Sequence, residues 1–93
     1  MQRRGDLMSK IDELAEAISG VAGKIDEATN ESTVASQEAE ETAAVAEALG
    51  SDGLVEGLSH VKEQLDALSE VLKGASQQAS EIQALTLSLA EGG

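Results

Sequence analysis

Leu49-Gly50-Ser51-Asp52-Gly53-Leu54 breaks the middle of a chain that otherwise reads as helix from end to end. Gly50 can take the left-handed conformation that ends one helix, and Ser51 or Asp52 can cap the first free amides of the next. The stretch predicts a hairpin turn over Gly50, Ser51, Asp52 and Gly53, with helix one over about residues 7–49 and helix two over about 54–90. All 93 residues then form one helical-hairpin domain.

Outward from the turn, the apolar or small residues recur at alternating spacings of four and three. Before it they are Leu7, Ile11, Leu14, Ile18, Val21, Ile25, Ala28, Ser32, Ala35, Ala39, Thr42, Ala46 and Leu49. After it they are Leu54, Leu58, Val61, Leu65, Leu68, Leu72, Ala75, Ala79, Ile82, Thr86 and Leu89. A repeat of 3.5 residues specifies long helices that wind around a partner with a left-handed supercoil, and the first of them should span about 65 Å. Gly20 and Gly23 fall off this seam, where a bend or a close second contact is expected.

Side-chain size along the seams argues for folding back. Bulky residues come first in helix one and small ones follow, while helix two is Leu-rich near the turn. An antiparallel hairpin sets the small half against the large half; a parallel dimer of helix one would stack Ala28 to Ala46 on their own copies and leave the core underfilled. The pairing register stays open: Ala39 meets Val61 or Leu68, and Ile25 meets Ala75 or Ile82. The expected fold is thus all-α, a long antiparallel two-helix coiled coil. One such hairpin buries a narrow stripe, so it is expected to dimerise into a four-helix bundle. Val45, Val71 and Leu85, with Val55 and Leu87, widen the apolar face beside the seam and are candidates to face a partner.

Composition supports helix and removes several chemistries. There is no aromatic residue, proline or cysteine, which excludes disulfides and thiolate catalysis. The chain holds 11 Leu, 4 Ile and 6 Val, or 21 of 93 residues, just above the roughly 20% below which chains tend to stay disordered. The formal net charge of −12 and only six scattered basic residues argue against nucleic acid. Between Lys24 and Lys62 there is no Lys or Arg, while Glu38, Glu41 and Glu47 stand among nine acids there. An acidic turn end could dock a basic surface; a solvated face is the plainer reading. No apolar run approaches the roughly 18 to 20 residues that span a bilayer, and no cleavable signal is evident, so the expected location is cytoplasmic, with export by a route that leaves the chain uncleaved as the alternative.

Four small motifs carry little. Arg4-Gly5-Asp6 is an integrin-type tripeptide, but Asp6 has a plain role in the first turn of a helix. Asp52, Glu56, His60 and Glu63 share a helical face, yet the E-x-x-H motif of di-iron bundles is absent, so no metal, cofactor or catalytic residue is expected. Met8 offers a second start besides Met1. Gly92-Gly93 matches the end of ubiquitin-like modifiers in two residues only.

Two long antiparallel helices in about a hundred acidic, cysteine-free residues resemble the small helical-hairpin proteins of type VII secretion and their accessory partners. The likeness is architectural. The best-known branch has W-x-G in the turn and a Tyr-containing signal after helix two, whereas this chain has Leu49-Gly50-Ser51-Asp52-Gly53 and neither Trp nor Tyr. The resemblance implies a homo- or heterodimeric bundle, or an adaptor for a larger helical protein. Residues 34–46 are similar to chemoreceptor signalling coils in their Ala and Glu heptads. The expected function is a non-catalytic interaction module, adaptor or chaperone-like partner, acting on itself or on another protein. The alternative is a structural subunit of a self-assembling particle or filament.

Overall fold

The computed structural model describes the backbone of residues 3–92 and the side chains of residues 5–91; Met1 and Gly93 lie outside the described residues. Helix α1 (Arg3–Ala48) and helix α2 (Asp52–Gly92) form a hairpin that extends 74 Å along its axis. Among the described residues there are no strands, so the chain is an all-α helical hairpin.

The turn is shorter than its sequence suggests, because the backbone closes it within three residues. Gly50 has φ of 77°, the left-handed region. Its N–H donates to the Glu47 carbonyl at 3.0 Å, and Ser51 N–H donates to the Ala46 carbonyl at 2.9 Å, which is the paired bonding of a Schellman end. Ser51 then starts α2 by accepting from Val55 N–H at 3.0 Å. Asp52 and Gly53 therefore belong to the first turn of α2 rather than to the connection, and Leu49 lies outside α1. Asp52 sits where a carboxylate faces the positive end of the helix. At the other end α1 begins before Leu7, and Asp6 lies in its first turn.

Gly50 is the position in this turn that demands glycine. Replacing it with Val should lower stability by about 1–2 kcal/mol, the cost of holding a branched side chain in the left-handed region. Thermal melting followed by circular dichroism checks this, and an unchanged midpoint would mean that the turn relaxes freely. A Cβ at Gly20, Gly23, Gly57 or Gly74 would meet nothing within 4 Å, so the close contact expected at Gly20 and Gly23 is not made within the hairpin.

The two helices pack through half of the expected seam. Each helix presents three neighbouring rows, and within a row the residues are seven apart. The central row is Ile11, Ile18, Ile25, Ser32, Ala39 and Ala46 on α1, and Leu58, Leu65, Leu72, Ala79 and Thr86 on α2; it is buried or half-buried throughout. The sequence pairs this row with Leu7, Leu14 and Val21 on α1 and with Leu54, Val61, Leu68, Ile82 and Leu89 on α2. The structure pairs it instead with the next residue along. Ala15, Ala22, Thr29, Ser36 and Ala43 turn inward on α1, and Val55, Lys62, Ser69, Ser76, Gln83 and Ala90 do so on α2. Adjacent residues make the difference plain: Leu14 is 52% exposed and Ala15 5%, Leu68 is 47% exposed and Ser69 8%.

Small and hydroxylated side chains let the backbones approach and tie them in register. Ser32 donates to the Leu65 carbonyl at 3.1 Å, and Ser69 donates to Ser32 Oγ at 2.9 Å. Ser36 donates to Asp66 at 2.6 Å, Ser76 to Asp26 at 2.8 Å, and Gln83 Nε2 to the Ala15 carbonyl at 3.4 Å. Those bonds select one register from the alternatives, with Ser32 level with the Leu65 to Ser69 turn. They also satisfy the buried polar atoms: among the described residues no buried side-chain nitrogen or oxygen lacks a partner.

Candidate interaction face

Rotation of both helices toward their small residues leaves the third row outside. On α1 it runs Leu7, Leu14, Val21, Ala28, Ala35, Thr42 and Leu49; on α2 it runs Leu54, Val61, Leu68, Ala75, Ile82 and Leu89. The aliphatics of both runs are exposed, and Ala28, Ala35 and Ala75 are half-buried. In an antiparallel pair, the rows on the same side of each seam lie beside each other. Both therefore border one side of the hairpin. The grooves agree: Leu7 and Ile11 line one with Leu89 and Ala90, and Val21, Ile25 and Ala28 line another with Leu72 of α2. The second is almost wholly apolar, with Ala17 and Gly20 completing it and Lys24 at its edge.

The opposite side is polar, for the same geometric reason. Asp12, Asp26, Thr33, Glu40 and Glu47 follow the inner row of α1, and Asp66 and Lys73 follow that of α2, whose far end carries the exposed Leu87 as the one large aliphatic of this side. Thr33, Ser36, Glu40, Lys62, Asp66 and Lys73 line a groove there. Asp66 is its hub, accepting from Ser36 and, at 2.9 Å, from Lys62. The Ser36 hydrogen bond, followed by that of Lys62, holds the Asp66 carboxyl below the usual carboxylate range, and the bond to Asp66 raises Lys62 above the usual lysine value.

A folded-state value below the unfolded one makes Asp66 stabilising above the ordinary carboxylate range, and this contribution is lost as pH falls through the depressed value. Lys62 runs the other way: its contribution is present below the ordinary lysine value and is lost as pH rises through the raised one. Asp66→Asn should lower the melting midpoint modestly at pH 7, and the gap to the native chain should close in acid. A gap that persists in acid would assign Asp66 a role other than its charge.

Of the residues singled out from the sequence, Val45, Val71 and Leu85 are exposed, as are Glu38, Glu41 and Glu47. Val71 and Leu85 lie next to the outer row of α2 and extend it around that helix. Val55, by contrast, is half-buried against α1. His60 Nδ1 lies 4.0 Å from Glu63, both at the surface, and no group of three or more His, Cys, Asp or Glu that could hold a metal ion is found among the described residues. The sequence reading places the outer row in the hairpin core; the structure leaves its large aliphatics exposed and packs the inner row there instead. Compared with known proteins, the chain matches no family model, no curated protein and no solved structure. No helix among the described residues is long and apolar enough to cross a membrane.

Proposed function

We propose that this chain is a non-catalytic helical interaction module, an adaptor or chaperone-like partner that acts by oligomerising through the outer rows of its two helices. The observation that carries this reading is the exposure of every large aliphatic of one heptad stripe, Leu7, Leu14, Val21 and Leu49 on α1 and Leu54, Val61, Leu68, Ile82 and Leu89 on α2, on one side of a hairpin whose other side is mostly polar. Isolated surface aliphatics are ordinary, but a contiguous apolar face rimmed by polar residues marks a contact surface. A second consideration is energetic. A two-helix scaffold seldom supplies more than about 3–5 kcal/mol by itself, and this one has no fully buried large side chain among the described residues. Covering the outer rows would complete the core that the hairpin starts. The architectural likeness to type VII hairpins extends the reading to escort of a larger helical protein.

The test is light scattering after size exclusion across a wide concentration range at low and high salt. A finite mass above one chain is the expected result. One chain at every concentration overturns the reading, and mass that climbs without limit replaces the adaptor with a subunit of an open assembly.

A further inference from the structure

Resting on the reading of the outer rows as a contact surface, we propose that their occupant is a second copy of this chain, packed face to face with the two turns at opposite ends of a four-helix bundle. A two-fold axis can bring two such faces together in two ways. An axis along the bundle places both turns at one end and sets α1 over α2 of the partner subunit. An axis across the bundle places the turns at opposite ends, with α1 over α1 and α2 over α2.

Side-chain size admits both. With the turns together, Ala35 meets Leu68, Thr42 meets Val61 and Val21 meets Ile82. With the turns apart, the α1 row inverts about Ala28: Leu7 meets Leu49, Leu14 meets Thr42 and Val21 meets Ala35, while Ala28 sits on the axis beside its own copy. The hairpin measures 74 Å by 15 Å by 12 Å between Cα extremes, so either pairing lets the two faces meet along most of a 74 Å length.

Charge decides between them. The bonds from Ser76 to Asp26 and from Ser69 to Ser32 set Ala28 level with the stretch between Leu72 and Ala75. The turn half, residues 28–73, holds ten acids and two lysines, net −8; the other half holds eight acids and four bases, net −4. Turns together would lay −8 beside −8 along the whole acidic end. Turns apart lay each −8 half over a −4 half.

The charges that flank the apolar stripe on α1 are also sorted. Lys10 and Lys24 occupy its first half, and Glu31 and Glu38 occupy its second, in one row at seven-residue spacing. Inversion about Ala28 carries Lys24 next to Glu31 of the partner subunit, and the symmetry makes that pair twice. All four charged side chains are exposed in the single hairpin, and Lys24 reaches no closer than 3.8 Å to its helical neighbour Glu27. Opposite charges across the rim fix orientation more than they add affinity.

The experiment uses the 93-residue chain and charge reversal. Lys24→Glu and Glu31→Lys should each weaken self-association on the order of tenfold, since each replaces two attractive rim pairs with two repulsive ones. The double variant should restore it, as should mixing the two single variants. Glu31→Lys is the sharper of the two, because it removes negative charge from the turn half: with the turns together it would tighten association, and that result overturns the proposal.

A second readout does not depend on those variants. The chain has no cysteine, so Ser51→Cys carries donor or acceptor dye at the turn alone. In a dimer with the turns apart the labels stand about 70 Å apart, from 1.5 Å per residue, and energy transfer is low. Near-complete transfer in a particle of two chains overturns the orientation while leaving the interaction module standing. Open-ended growth overturns the orientation and replaces the adaptor with a subunit of an open assembly, and a single-chain mass at every concentration overturns both.

Discussion

Leu65→Asp abolishes the cooperative thermal transition of the hairpin at neutral pH. Leu65 belongs to the central row and is half-buried, its carbonyl accepting from Ser32 of the facing helix. An aspartate there presses a charge into the seam, where the base one turn away, Lys62, is already bonded to Asp66 at 2.9 Å. Its Ser and Ala neighbours across the seam cannot neutralise a carboxylate. The expected loss is about 2–4 kcal/mol, comparable with the roughly 3–5 kcal/mol that the single core of a small scaffold seldom exceeds. Far-ultraviolet dichroism on heating checks it; a melting curve indistinguishable from that of the native chain would remove Leu65 from the core.

Leu68→Asp, three residues further along the same helix, has the opposite signature. The hairpin keeps its helical signal in the cold, and self-association disappears. Leu68 lies in the outer row and is 47% exposed, so within one chain its replacement can turn to solvent and leaves the central row intact. In the assembled bundle the same aspartate would sit in the middle of an apolar face, and dimerisation should weaken by a factor of a hundred or more, the consequence of about 3 kcal/mol for an unpaired charge in a contact. Light scattering and the concentration dependence of the melting midpoint report it. Ile18→Asp and Leu14→Asp should repeat the contrast on α1, the first unfolding and the second dissociating. Equal behaviour of Leu65→Asp and Leu68→Asp would mean that both lie in one seam and that the helices are not rotated as described.

That contrast exists because the apolar arc of each helix is wider than one seam. With neighbours on a helix about 100° apart, choosing the residue before or after as the second row moves the seam by about 50°. Leu14, Val21, Leu54 and Leu68 are the bulkier choice, and a reading by hydrophobicity takes them. The structure takes Ala15, Ala22, Ser36, Ser69 and Ser76, because small residues let the helices close and their hydroxyls reach across, to Asp66, Ser32 and Asp26. Serine is a weak hydrophobic signal in a sequence. Its value as a tie between helices depends on which residue stands opposite, and that is decided 30 to 50 positions away along the chain.

The sequence by itself determined what depends on neighbours: two helices from the heptad spacing, a left-handed Gly50 between them, and acids gathered around the turn. The ends of the connection were less legible, since a Schellman closure followed at once by α2 draws Asp52 and Gly53 into the helix. What only the tertiary structure decided is the rotation of each helix about its axis, and with it the register and the side of the molecule left apolar. Heptad spacing fixes that a row recurs every seven residues, which is a local property of one helix. It does not fix which of three adjacent rows meets the other helix, because that depends on how close two backbones can come, and closeness is a property of the pair.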